Sequence, residues 1–266
     1  MTSSDGAHGA DEISFVDADG AVLEVHRYAG DADGPTLVFL HEGLGSAAMW
    51  RNFPGQLAGV TKLAAIVYSR RGYGNSAPRS DPYTTDFMHD EARRTLPALL
   101  SALAIQRPLL VGHSDGGSIA LIHAADHPVA GLIVEAPHIF VEDICVDAIA
   151  QARETFRSGD LVRRLGRYHK DPEQAFRGWN DIWLEPDFRA WNIEDIVGRV
   201  KAPILAIQGE TDQYGTMAQI DGIAATAAGP VQLLKLPDCG HAPHRDQPKI
   251  VLREMKAFIK GLRTPP

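Results

Sequence analysis

Residues 21–28 alternate between apolar and polar side chains, as a strand with one wet face does, whereas Thr36-Leu37-Val38-Phe39-Leu40 does not alternate at all. A short unbroken apolar run of this kind fits a strand buried on both faces, which a parallel sheet requires. Further strands of this character are predicted over 63–68, 108–112 and 129–135, and two more over 203–207 and 231–236. At the front of the chain, Ile13-Ser14-Phe15-Val16 and the 21–28 run flank the turn sequence Asp17-Ala18-Asp19-Gly20, which makes them a hairpin. Helical patterns fill several of the gaps: 86–104 with Asp86 as its N-cap, 114–127, and an amphipathic final helix over 248–262. Between 138 and 200 the rhythm breaks into helical stretches rich in Arg and Trp, with no strand.

A hairpin followed by alternating strand and helix implies an α/β fold with a mostly parallel eight-stranded sheet, helices on both faces and a helical insertion. The expected organisation is a flexible tail over 1–11, a sheet core over 12–137 and 201–266, and the insertion over 138–200. Ligands in such sheets sit beyond the carboxyl ends of the strands.

Charge narrows the function. Twenty-six Lys and Arg against 34 Asp and Glu leave a net charge of −8 in 266 residues. A nucleic-acid binder shows a basic footprint instead, and an acidic chain is not drawn to an anionic membrane. Two cysteines, Cys145 and Cys239, make no disulfide framework and fit a reduced, cytoplasmic setting. Residues 1–11 lack the basic and apolar blocks of a signal peptide, and no apolar run approaches a membrane span. The expected partner is a small-molecule substrate, with self-association left open. No H-E-x-x-H or Cys/His spacing suggests a metal, and no cofactor is expected.

Gly112-His113-Ser114-Asp115-Gly116-Gly117 fits G-x-S-x-G directly after a buried strand and directly before a helix. A serine on such a hairpin is held in strained backbone geometry, with small residues letting strand and helix pass closely. Three more segments follow strand ends: His41-Glu42-Gly43-Leu44-Gly45, Arg70-Arg71-Gly72-Tyr73-Gly74-Asn75-Ser76, and Gln208-Gly209-Glu210-Thr211-Asp212 with Cys239-Gly240-His241. On these four segments, in this order, the chain resembles the α/β-hydrolase superfamily over about residues 13–262. Ser69 departs from the aspartate usual before the Arg-Gly turn.

The resemblance implies a nucleophile at Ser114, an acid at Asp212 and a base at His241. A serine hydroxyl needs such a base, and the acid holds the imidazole in one tautomer. His244, three residues on, is the decoy, read as a polar residue entering the last helix. Glu210, Asp143 and Asp147 are the weaker acids. The resemblance also implies an oxyanion hole from the backbone N–H groups of Gly43 and Asp115. Glu42 and Asp115 then bring two carboxylates toward an oxyanion. At ~5 Å and an effective dielectric of ~20, each costs roughly 3 kcal/mol unless it turns away or a cation such as Arg70 or Arg71 neutralises it. His41 and His113 are expected in structural roles beside the loop and the elbow.

The insertion sits where the family carries a cap. Glu42, Leu44, His113, Phe140, Trp179 and Trp183 are candidate pocket residues. Trp191 and Phe156 line the pocket or pack the cap onto the sheet. Arg153, Arg157, Arg163, Arg164, Arg167, Arg177 and Arg189 form a solvated face or bind a substrate carboxylate. Ser114 argues against relatives whose nucleophile is an aspartate, and Ala242-Pro243 after His241 resembles simple carboxylesterases. The expected reaction is hydrolysis of a carboxylic ester, lactone or thioester. Carbon–carbon bond hydrolysis of ring-cleavage products comes second, and a cofactor-free oxygenase or a ligand receptor on the same fold are the readings from other classes.

Overall fold

The unbroken apolar runs lie side by side in the computed structural model, which describes residues 9–31 and 33–263. The strands are β1 (Glu12–Ala18), β2 (Ala21–Tyr28), β3 (Leu37–Leu40), β4 (Ala65–Tyr68), β5 (Leu109–His113), β6 (Gly131–Glu135), β7 (Ile204–Gly209) and β8 (Val231–Leu236). They form one sheet in the order β1-β2-β4-β3-β5-β6-β7-β8. β2 runs antiparallel to both β1 and β4, and every other neighbouring pair is parallel. Asp19 and Gly20 both take positive φ at the β1–β2 turn, which suits the twist of a tight hairpin.

The helices, in chain order, are α1 (Phe53–Thr61), α2 (Phe87–Asp90), α3 (Leu96–Ala102), α4 (Asp115–Asp126), α5 (Asp143–Arg157), α6 (Asp160–Leu165), α7 (Pro172–Trp183), α8 (Glu194–Val197), α9 (Ala218–Thr226), α10 (Pro243–Asp246) and α11 (Pro248–Arg263). Successive strand residues feed two separate cores, because side chains alternate across the sheet. Val38, Leu40, Leu110 and Val134 pack toward α2, α3, α4 and α9, while Leu37, Phe39, Val111 and Ile133 pack toward α1 and α11. That division explains why β3 to β7 show no polar face: both of their faces are covered.

Three local expectations need correction. The helix expected over 86–104 is interrupted by a π turn at Glu91–Thr95. Pro97 explains it: it has no N–H for the Arg93 carbonyl, and its ring crowds that carbonyl, so the ladder widens. Asp86 stands at the start of α2 but makes no capping side-chain bond. Of the tail expected over 1–11, residues 1–8 lie outside the described residues. Asp11 is tied down, its N–H donating to the Arg27 carbonyl at 2.9 Å and its carboxylate accepting from the Ala29 N–H.

Between β6 and β7 the chain is helical, with one isolated antiparallel bridge, Phe140 to Asn192. α5, α6 and α7 pack on one another, while α8 packs on α4 and α9 beside the sheet. Asp171 caps α7 by accepting from the Gln174 N–H at 2.9 Å, and Pro172 opens the helix where a missing N–H costs nothing. The α7 segment is anchored to the sheet side by Trp183 against Phe188 and Phe188 against Phe87, with ring centroids 5.0 and 6.1 Å apart. No helix among the described residues is long and apolar enough to cross a membrane.

Candidate active site

Ser114 sits between β5 and α4 with φ 54° and ψ −121°, the backbone strain a strand-to-helix hairpin imposes. The turn is possible because its glycines are bare. A Cβ on Gly112 would run into the Gly116 carbonyl, and one on Gly116 into the Leu40 carbonyl of β3. The Ser114 N–H donates to the Glu135 carbonyl at the tip of β6 at 2.9 Å, which fixes the turn against the neighbouring strand.

Asp212 and His241 come from the loops after β7 and β8. His241 Nδ1 lies 2.8 Å from Asp212 Oδ2 and 3.0 Å from Oδ1. The carboxylate also accepts from Gln208 Nε2 at 2.7 Å and the Tyr214 N–H at 2.8 Å. Burial opposes its charge, but His241 and the Tyr214 amide outweigh burial and hold Asp212 below the ordinary carboxylate range. Glu210, by contrast, is exposed, Asp143 pairs with Arg189, and Asp147 is exposed.

Ser114 and His241 face one cavity of about 90 Å³, which Gly43, Leu44, Glu42, Asp115, Trp179 and Trp183 also line. Among the described residues no hydrogen bond joins the serine hydroxyl to His241, and neither the Gly43 nor the Asp115 N–H has a protein acceptor. Catalytic hydrogen bonds in ligand-free sites are often long and tighten around substrate. His113 lines an adjoining groove rather than this cavity. Phe140 lines neither and is packed against the core instead. Phe156 stacks on Phe176 at 3.8 Å and Trp191 on Phe188 at 5.5 Å, so both pack rather than line.

The two carboxylates that line the cavity, Glu42 and Asp115, are handled differently. Glu42 lies 3.5 Å from His113 Nδ1 and 3.5 Å from Arg245 Nη2. Burial alone would favour its neutral acid, yet His113 and Arg245 hold it ionised, well below the usual carboxylate value. Asp115 is 1% exposed, and burial pushes its carboxyl upward, toward the neutral form, against the pull of Arg70 at 3.9 Å. Arg71 plays no part in the site: it pairs with Asp81 on the surface. The expected charge penalty is therefore offset by counter-charge at both residues, from His113 and Arg245 at Glu42 and from Arg70 at Asp115.

His41 and His113 organise the loops. His41 Nδ1 donates to the Glu42 carbonyl at 2.7 Å and its Nε2 accepts the Arg70 N–H at 3.1 Å. Burial keeps that ring neutral. His113 Nε2 donates to the His241 carbonyl at 2.6 Å. Burial works against charge on His113, but Glu42 raises it above the ordinary imidazole value. Ser69, standing where an aspartate is usual, has its missing carboxylate supplied by Glu24 of β2. Glu24 Oε2 accepts from Ser69 Oγ at 2.8 Å and the Asn75 N–H at 2.9 Å.

Several residues were not anticipated. His138, Cys145 and Tyr214 line the cavity. The position of His138 just past β6, at a strand's carboxyl end, was the available signal. Burial, reinforced by His241, lowers His138 to about 3, so it stays neutral, and its Nδ1 has no partner. His244 was expected as a polar residue at a helix entrance. It lies instead in α10, the short turn before the last helix, is 5% exposed, and its Nδ1 meets Glu135 Oε2 at 2.8 Å.

A strand-ended site on a mostly parallel sheet of this order is that of an α/β hydrolase. The model of the alpha/beta hydrolase family matches residues 37–254, and the chain belongs to that family. It is 28% identical over 262 residues to the 2-succinyl-6-hydroxy-2,4-cyclohexadiene-1-carboxylate synthase of Enterobacter sp. (strain 638), covering 86% of this chain and 93% of that one. It is 26% identical to the serine hydrolase BPHL of Homo sapiens, covering 71% of this chain and 67% of that protein. In fold it is similar to the enol-lactonase from Burkholderia xenovorans LB400, with a TM-score of 0.73 and 19% identity over 93% of this chain and all of that one. The chain is thus an enzyme of a hydrolase family.

Proposed function

We propose that the chain is a serine hydrolase that cleaves a carboxylic ester, lactone or thioester of a small molecule through an acyl-enzyme. His241 takes the proton of the Ser114 hydroxyl as the oxygen attacks the acyl carbonyl. The tetrahedral oxyanion is received by the N–H groups of Gly43 and Asp115, which have no other acceptor. Asp212 stabilises the imidazolium, which then protonates the leaving group. Water, deprotonated by the same histidine, attacks the acyl-serine, and the carboxylic acid and free hydroxyl are restored. The helices α5 and α7, standing over Ser114 as a cap, exclude bulk water from the cavity.

The observation that carries this reading is the His241–Asp212 contact at 2.8 Å, with Ser114, Gly43 and Asp115 lining the same cavity as His241. Neutral His138 and the apolar walls from Trp179 and Trp183 suit an uncharged acyl carbonyl. The test is a panel of chromogenic esters, lactones, acyl thioesters and dienoate diketones, run on wild type and Ser114→Ala. Cleavage of esters, lost in Ser114→Ala, together with fluorophosphonate labelling of Ser114, is the expected result. Label on another residue, or activity retained by Ser114→Ala, would overturn it.

A further inference from the structure

The eight arginines between β6 and β7 fall into two groups. Arg153, Arg157, Arg163, Arg177, Arg189 and Arg199 each pair with a carboxylate: Asp181, Glu154, Asp160, Glu173, Asp143 and Asp126. Arg164 and Arg167 have no ion pair or side-chain hydrogen bond among the described residues. Both open on the same place, a groove of about 550 Å³ that adjoins the catalytic cavity and shares Glu42, Leu44, Tyr214 and His241 with it.

The groove is also lined by Arg51 and Arg245. Arg51 also lacks a side-chain partner among the described residues. It is held at φ 54°, a conformation a residue with a Cβ rarely adopts, as Ser114 is. Arg245 Nη2 reaches the Met49 carbonyl at 3.1 Å. Two carboxylates lie in the groove, and both are engaged. Glu42 faces His113 and Arg245, and Asp246 accepts the Gly240 N–H at 2.8 Å. Four guanidinium groups against two occupied carboxylates leave a cationic groove in a chain of net charge −8. Unpaired arginines from two separate segments, converging beside the reacting histidine, form a receptor for an anion.

We infer that the substrate carries an anionic group, a carboxylate or a phosphate, which the Arg164, Arg167, Arg51 and Arg245 groove holds while the reacting carbonyl enters the small cavity at Ser114. This rests on the hydrolase reading above and adds the substrate's class. The division of labour follows from size and charge. The cavity takes a compact, uncharged acyl centre, and the groove takes the larger charged remainder.

Calorimetric titration of wild type, Ser114→Ala, Arg164→Gln/Arg167→Gln and the control Arg157→Gln with 4-hydroxybenzoate, 4-hydroxyphenyl phosphate and phenol tests the groove without any turnover. At least one anion is expected to bind wild type and Ser114→Ala about tenfold or more tightly than phenol, as hydrogen bonds to charged groups imply. The double variant should lose roughly that factor, Arg157→Gln should keep it, and added salt should compress it. Whichever anion gains more identifies the group as carboxylate or phosphate. In parallel, the acetyl esters of the same three phenols should show a kcat/KM ratio of anionic to neutral substrate that falls about tenfold in the double variant, mainly through KM. Phenol binding as tightly as both anions, or a double variant no weaker than Arg157→Gln, would overturn the inference. Loss of all ester cleavage with no label on Ser114 would instead defeat the hydrolase reading, with the ligand affinities still deciding the groove.

Discussion

Two imidazole–carboxylate pairs stand three residues apart on the loop after β8, and their contacts have the same length. His241 meets Asp212 at 2.8 Å and His244 meets Glu135 at 2.8 Å. What separates them is access. The His241 side chain is 14% exposed and opens on the cavity, whereas that of His244 is 3% exposed. Trp50 covers it, with ring centroids 4.6 Å apart, and its Nε2 has no partner. An imidazole held by a carboxylate is thus not a site in itself; it becomes one where its second nitrogen faces space that a substrate can fill.

The largest effect that would break this contrast is on rate. Asp212→Asn should lower kcat by about ten-thousand-fold, since the amide favours the wrong tautomer, while the melting temperature shifts little. Initial rates and thermal unfolding check both halves. The buried pair should respond in the opposite sense. Glu135→Gln replaces the buried carboxylate that meets both the His244 N–H and its Nδ1 and should cost about 2 kcal/mol in urea unfolding, with kcat reduced less than tenfold. A rate loss as deep as that of Asp212→Asn would draw the second pair into the chemistry.

A third pair, Glu24 with His26 at 3.1 Å, is remote from the cavity and sharpens the comparison through pH. Burial works against the Glu24 charge, but bonds from His26, Asn75 and Ser69 bring it from 4.5 down to about 2. A folded value below the unfolded one means stability that is fully present above about pH 5 and lost as pH falls toward 2. Glu24→Gln should therefore cost about 3 kcal/mol near neutrality, a gap that narrows through that acid window when denaturation is followed against pH. The smallest effect is at His138. His138→Phe removes a neutral ring from the cavity wall and should change KM by a few-fold with kcat nearly kept, read from steady-state kinetics.

The sheet and the order of the motifs were legible in the sequence because both depend on near neighbours. An unbroken run such as 36–40 records two covered faces, and Gly112 and Gly116 record a close passage of strand and helix within five residues. What stayed hidden depends on long-range contact. Glu135 reaches His244 across 109 positions, and Arg245 reaches Glu42 across 203. Glu24 replaces the carboxylate absent at Ser69 from another strand, 45 positions away. The interruption after α2 was readable in principle from Pro97, but an amphipathic pattern running through it masked the signal. The arginines of the helical segment looked alike in sequence, and only their partners divide them.

Glu135 has two attachments that belong together. Its main-chain carbonyl takes the Ser114 N–H, and its side chain grips the segment bearing His241 three positions before His244. One residue is thus the shared mounting of the Ser114 turn and the His241 loop. As the molecule warms, neither can drift from the other without breaking the buried hydrogen bonds of the Glu135 carboxylate to His244. Reactivity should therefore persist almost to the temperature at which the whole sheet comes apart, rather than fading ahead of it.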